Sequence, residues 1–220
     1  MSSVVPMSRW LPWGGEDTGF GIWEDASGAA LWIQIEEGSV TGAHPFFSPA
    51  AQHSLRLEAA DAGGLLDGSV RAFILPDERT LLPFDVLNFP TVAEALRPQT
   101  VARARVAAFA ESLTLWPSEG AYRSGDEGQR KARSIAPTGL FPPEKGGTGR
   151  STARIAGVVR SAERRENALT HAAFLSLRLE TAGVTLDAVA ADGPLPVPGA
   201  VADGHFWLAA VAEPPSEHTS

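Results

Sequence analysis

Through most of the chain, hydrophobic and polar residues alternate with a period of two, the signature of half-buried strands. "TGFGIWED" and "AALWIQIEEG", joined by "ASG", predict a hairpin with Ile33 and Ile35 on one side and Trp32 and Gln34 on the other. "HSLRLEAA" sets Leu55 and Leu57 against Ser54, Arg56 and Glu58. "SVRAFILP" and "TLLPFDVLNFP" continue the pattern, their prolines marking strand ends or edges.

At Thr91 the period changes. "TVAE" offers Thr91 as an N-cap with Glu94 as its reciprocal partner, and Pro98 ends that turn. From about Gln99 to Leu115 the steps between Ala102, Val106, Phe109, Leu113 and Trp116 predict an amphipathic helix, with Arg103, Arg105 and Glu111 off its apolar stripe. Residues 1–116 are therefore expected to form a small β-rich domain closed by a helix. Residues 117–150 hold four prolines, seven glycines and ten charged residues. So little apolar surface cannot offset the entropy of ordering, which predicts a flexible linker. No repeat of fixed period is visible.

Strands return after the linker. In "TARIAGVVRSA", Ala153, Ile155, Gly157 and Val159 fall on one face and Arg154, Ala156, Val158 and Arg160 on the other. "AERRENALTH" reads as a turn. "AAFLSLRLETAG" sends Leu175, Leu177 and Leu179 inward and Phe174, Ser176 and Arg178 outward; "VTLDAVA" turns Val184, Leu186 and Ala188 to the core, and "GHFWLAAVAE" supplies a last strand. This meander, with a glycine inside its long first strand and "PVPGAVADG" leading into its last, resembles the OB-fold superfamily over residues 151–213. Residues 214–220 are expected to be a tail. The fold class is mostly β (α+β): a helix-closed β-rich domain, a linker and an OB-like barrel.

The resemblance implies a ligand face on the middle strands. Arg154, Arg160 and Arg178 would share it with Phe174, and Arg164 and Arg165 would stand in the adjoining loop. Arginine beside an exposed aromatic suits base stacking and phosphate contact. The competing reading is a salt-bridged surface, since Glu163, Glu166, Glu180 and Asp187 lie close by and Arg178 could pair across strands with Asp187.

Charge narrows the choice. The 220 residues carry a formal net charge of -8, most of it in residues 1–116, where 7 Lys/Arg face 14 Asp/Glu. That front half repels phosphate backbones and favours a basic partner. Cysteine is absent, which removes disulfides, thiolate catalysis and cysteine-rich zinc sites. No apolar run is long enough for a membrane helix, and no basic n-region precedes an apolar stretch, so the expected location is cytoplasmic.

Catalytic signals are weak. His44 in "GAHPFFSP" could be an acid or base on a loop, but Phe46 and Phe47 tucked into a core is the simpler reading. "EKGGTGR" lacks phosphate-loop spacing, "GSVTG" lacks that of a serine elbow, and the histidines show no metal-ligand spacing. Trp10 and Trp13 fit either a lid over the first sheet or an anchor for a partner. The sequence thus points to a non-catalytic interaction protein that binds another protein, without cofactor or metal. The alternatives are a single-stranded nucleic-acid binder and an enzyme with a site in the first domain.

Overall fold

A computed structural model describes residues 9–61, 68–125, 131–140 and 150–213. The chain is mostly β and forms two sheets. The first is antiparallel in the order β1 (Arg9–Pro12), β2 (Gly19–Glu24), β3 (Ala29–Glu36), β4 (Ser39–Phe47). The expected β2–β3 hairpin turns over Asp25–Gly28, where Gly28 has φ +82. Glu37 and Gly38 both have positive φ (49 and 76) between the paired ends Glu36 and Ser39, the geometry of a two-residue hairpin turn that matches strand twist. On β3 the buried side is that of Trp32 and Gln34, while Ile33 and Ile35 are half-exposed.

The second sheet contains β5 (Gln52–Asp61), β6 (Ser69–Ile74), β7 (Leu81–Val86), β8 (Val101–Trp116), β9 (Ser134–Pro137), β10 (Thr152–Glu166), β11 (Ala173–Glu180), β12 (Thr185–Ala191) and β13 (Val201–Ala212). Its pairings close into two rings. One runs β5–β6–β7–β13–β8 and back to β5. The other runs β10–β11–β12–β8–β13 and back to β10. The antiparallel β8–β13 pair belongs to both.

β8 is a correction to the helix expected over 99–115. Its residues also satisfy a period of two: Ala104, Val106 and Ala108 are fully buried in the ring core, whereas Ala107 and Phe109 pack on the opposite side. The alanines that favour a helix locally are here the small residues that let three strands crowd against one. Pairing with β5, β12 and β13 satisfies the backbone of β8 on both edges, and this tertiary context overrides propensity. The expected cap also differs. The first helix, α1, is a single turn, Phe89–Val92; Thr91 lies inside it and donates its hydroxyl to the Asn88 carbonyl.

The rings repeat one plan. Three meandering strands (β5–β7, β10–β12) precede a long strand (β8, β13), and the third strand of each set runs parallel to the long strand of the other. Asp85 on β7 sits beside Ala209, Asp187 on β12 sits beside Ala107, and Ala107 faces Ala209. One buried cluster includes Leu55, Phe84 and Val106 with Ile155, Leu177, Leu186, Phe206 and Leu208. Leu175, Leu177 and Leu179 point inward as the alternation predicts, but the strand completing their ring is β8, from before residue 117.

The stretch expected as a linker carries β9 and a second helix, α2 (Glu119–Arg123), within its described residues. β9 pairs with β10, and Tyr122 and Ala132 bury themselves against Ala156, Val158 and Val201. Composition misses this because the burial comes from a neighbouring strand rather than from the segment itself. The four-stranded sheet covers the shared seam: Phe20, Ile22, Trp32, Phe46 and Phe47 pack on Ala107, Ala209, Phe109 and Trp207. Residues 1–8, most of "EKGGTGR" and the 214–220 tail lie outside the described residues. Among the described residues no helix is long and apolar enough to cross a membrane.

Candidate functional site

The arginines of β10 and β11 are placed by a β-bulge. The β10–β11 register shifts between Val159 and Ser161, which reverses the facing of later residues. Arg165, opposite Phe174, therefore shares the outer face with it, and Arg164 is opposite Leu175. Both arginines lie in the strand rather than in the loop expected for them.

Arg154 grips Asp203 through two bonds of 3.2 and 3.0 Å, and that buried carboxylate also accepts from the Tyr122 hydroxyl at 3.1 Å. Arg160 pairs with Glu180, which also takes Arg133 at 2.8 Å. Arg164 donates to Asp192 at 2.7 Å and to the Gly193 carbonyl at 2.8 Å. Arg165 pairs with Glu163 at 2.9 Å, donates to the Ser27 carbonyl at 2.8 Å and lies over the Phe47 ring. Arg178 is opposite Asp187 in register, but one oxygen of that carboxylate accepts from the Ala51 N–H at 3.3 Å. Phe174, expected to be exposed, packs edge-on against Phe47 at 6.2 Å, so the first sheet covers it. Apart from Arg154–Asp203, whose carboxylate is buried, these solvent-facing ion pairs contribute about 0–1 kcal/mol each; their larger effect is to neutralise the face.

Arg165 also helps to fasten the first sheet. Beside its bond to Ser27, the Asp25 carboxylate accepts from the Ala168 N–H at 2.7 Å. Burial alone would raise the Asp25 pKa, but the Ser27 hydroxyl and the Ala168, Ser27 and Ala29 N–H groups outweigh it and hold the group below its ordinary value.

Trp10 and Trp13 part company. Trp10, on edge strand β1, is 42% exposed, with its ring over Gly19. Trp13 is half-buried against Phe20, centroids 5.9 Å apart. Trp13, Thr18, Glu36, Glu37, Ser39 and Thr41 line a cleft of about 450 Å³. Glu16 and Asp17 between β1 and β2, and Glu36 and Glu37 where β3 turns into β4, gather four carboxylates at this end of the first sheet, so it is acidic.

His44 belongs to β4, opposite Trp32, rather than to a loop. Phe46 and Phe47 are buried, as their sequence context predicts. His53 is the more unusual histidine. Its Nε2 is buried with no hydrogen-bond partner among the described residues. Burial lowers its pKa; Asp187 opposes that shift and Arg178 adds to it.

A second cleft, about 390 Å³, lies between the two sheets. Leu11, Trp32, Phe46 and Val211 form apolar wall, and Arg9, Arg105, Glu24 and Glu213 bring charge to it. The sequence pattern conceals this place, since it assigns Arg105 to the solvent side of a helix. On β8 it is directly opposite Val211. Among the described residues no group of three or more His, Cys, Asp or Glu side chains could hold a metal ion. Comparison with family models, curated proteins and solved structures finds no match to the chain.

Proposed function

We propose that this chain is a non-catalytic interaction protein, built on an OB-like ring of strands, that uses its acidic outer sheet to bind a basic segment of another protein. The observation that carries the reading is the cleft where Trp13 meets Glu36 and Glu37. An aromatic face beside two carboxylates suits a lysine or arginine side chain, which gains both charge pairing and cation–π attraction. Trp10, exposed nearby on the edge strand, supplies the apolar anchor typical of binding hot spots. Glu16 and Asp17 join Glu36 and Glu37 at this end of the sheet, and the four carboxylates together steer a basic partner toward it. The five-stranded ring containing β10, β11 and β12 supports the OB-like part of the reading, with β8 as its completing strand.

The test is a pull-down from native lysate with the full chain as bait. It should recover a stoichiometric basic protein at low salt. Retention should fall as salt rises, and should be lost in a Trp10→Ala/Trp13→Ala variant and in a Glu36→Gln/Glu37→Gln variant that still fold. Recovery of the bait alone at every ionic strength would refute the reading, as would a partner held equally well by both variants.

A further inference from the structure

We propose that the cleft between the two sheets binds a small amphipathic monocarboxylate, with Arg105 and Arg9 holding the carboxylate and Trp32, Phe46, Leu11 and Val211 enclosing its apolar body. This is independent of the acidic surface that binds a protein partner. A volume of about 390 Å³ lies within the range of roughly 300–1,000 Å³ typical of small-molecule sites, which likewise combine apolar walls with a few polar groups.

The charge count selects the ligand. Most arginines of the second sheet and its connections already face a carboxylate: Arg103 takes Glu213 at 3.7 Å, Arg150 takes Glu111 at 3.0 Å, and Arg154, Arg160, Arg164 and Arg165 are paired as described. Arg9 and Arg105 have no carboxylate within ion-pair distance among the described residues, yet both border an apolar wall. Glu213, which follows β13 and lines the cleft, is engaged by Arg103 and by the Gln52 amide. Glu24 is then the remaining carboxylate, and it offsets one of the two guanidinium groups. One positive charge is left over, which matches a carboxylate better than a dianionic phosphate. Guanidinium groups also suit the planar geometry of a carboxylate, which they can bind through paired N–H bonds.

The frame is rigid. Arg105 stands on β8 opposite Val211 of β13, in the strand pair common to both rings. Asn88, which also lines the cleft, is anchored: its amide donates to the Ala212 carbonyl at 2.7 Å and accepts from the Ala212 N–H at 3.0 Å. That bond pair holds Asn88 to the end of β13 and fixes this part of the lining. Across the cleft, Arg9 and Leu11 sit opposite Ile22 and Phe20, on the same side of the first sheet as Trp32.

The test uses the full chain and isothermal titration with 2-naphthylacetate, its neutral amide, and 2-naphthylethylammonium. The acid should bind saturably at one site, with the amide at least tenfold weaker and the ammonium weaker still. Arg105→Gln should weaken the acid at least tenfold and leave the amide unchanged, with its melting midpoint measured alongside; if it fails to fold, Arg9→Gln carries the same expectation. Absence of saturable binding by the acid at millimolar concentration would overturn the proposal. So would equal binding of the amide or ammonium, or unchanged affinity in a folded arginine variant.

Discussion

Replacing Gly204 with alanine should weaken the fold more than its size suggests. Gly204 is on β13, between Ile155 of β10 and Leu113 of β8. A Cβ built there would meet the Ser112 carbonyl oxygen at 2.0 Å and the Ser112 carbonyl carbon at 3.0 Å. The obstacle is backbone, so no side-chain rotation relieves it. Relief requires β8 and β13 to separate locally, and both rings depend on that pair. Overpacking typically costs about 1–3 kcal/mol, and a clash with backbone in a shared pair belongs near the top, about 3 kcal/mol. For a chain of this size each kcal/mol moves the melting midpoint by about 2–4 °C, so a drop of roughly 6–12 °C is expected. Gly193→Ala is the control. A Cβ there meets nothing within 4 Å, and alanine reduces the freedom of the unfolded chain in both variants, so their difference isolates the clash. Thermal unfolding followed by far-ultraviolet circular dichroism reads both. If Gly204→Ala melts within about 2 °C of Gly193→Ala, a shift within the scatter of ordinary surface changes, the close β8–β13 approach is refuted.

Further outcomes are expected. Tyr122→Phe should cost about 1.5 kcal/mol in urea unfolding, because it removes a hydrogen bond to the buried Asp203 carboxylate while Arg154 still holds that group; no change would remove α2 from the list of stabilising contacts. The lowered pKa of His53 means the unfolded chain binds the proton more readily. Stability should therefore be fully present above the ordinary value of 6.5 and decline as pH falls below it and through the folded-state pKa, and His53→Gln should flatten that decline in pH-dependent denaturation. An unchanged slope would show that another group causes it. Because Arg154, Arg160, Arg164 and Arg165 already face carboxylates, a single-stranded oligothymidylate should show no binding by fluorescence anisotropy in about 50 mM salt. Low-micromolar binding that falls steeply with salt would contradict this account of the face.

Strands with one covered face were readable from the sequence. Leu175, Leu177 and Leu179 alternate cleanly and are buried together, and the hairpin around "ASG" follows from turn chemistry. β8 was not readable. "VARARVAAFAESLTLW" fits periods of both two and 3.6, and its farthest pairing, Ala104 with Ala212, spans more than a hundred residues. Short windows hold no trace of it. The matching order of the two meanders was hidden for a related reason: it shows only in pairings between distant strands, β7 with β13 and β12 with β8. The arginine run was legible as charge, but its facing was not, since one bulge after Val159 changes which guanidinium groups look outward. The inter-sheet cleft depended on the β8 assignment and was lost with it.

The strand pair common to both rings has a consequence for biosynthesis. A ribosome releases β5, β6, β7 and β8 long before β13, yet the first ring closes only when β13 slides between β7 and β8. Until residues 201–212 emerge, the nascent chain carries two open strand edges flanking a hydrophobic interior, a state prone to pairing with neighbours. Since loop closure over such separations is slow, completion should come late and all at once, with neither ring able to finish ahead of the other.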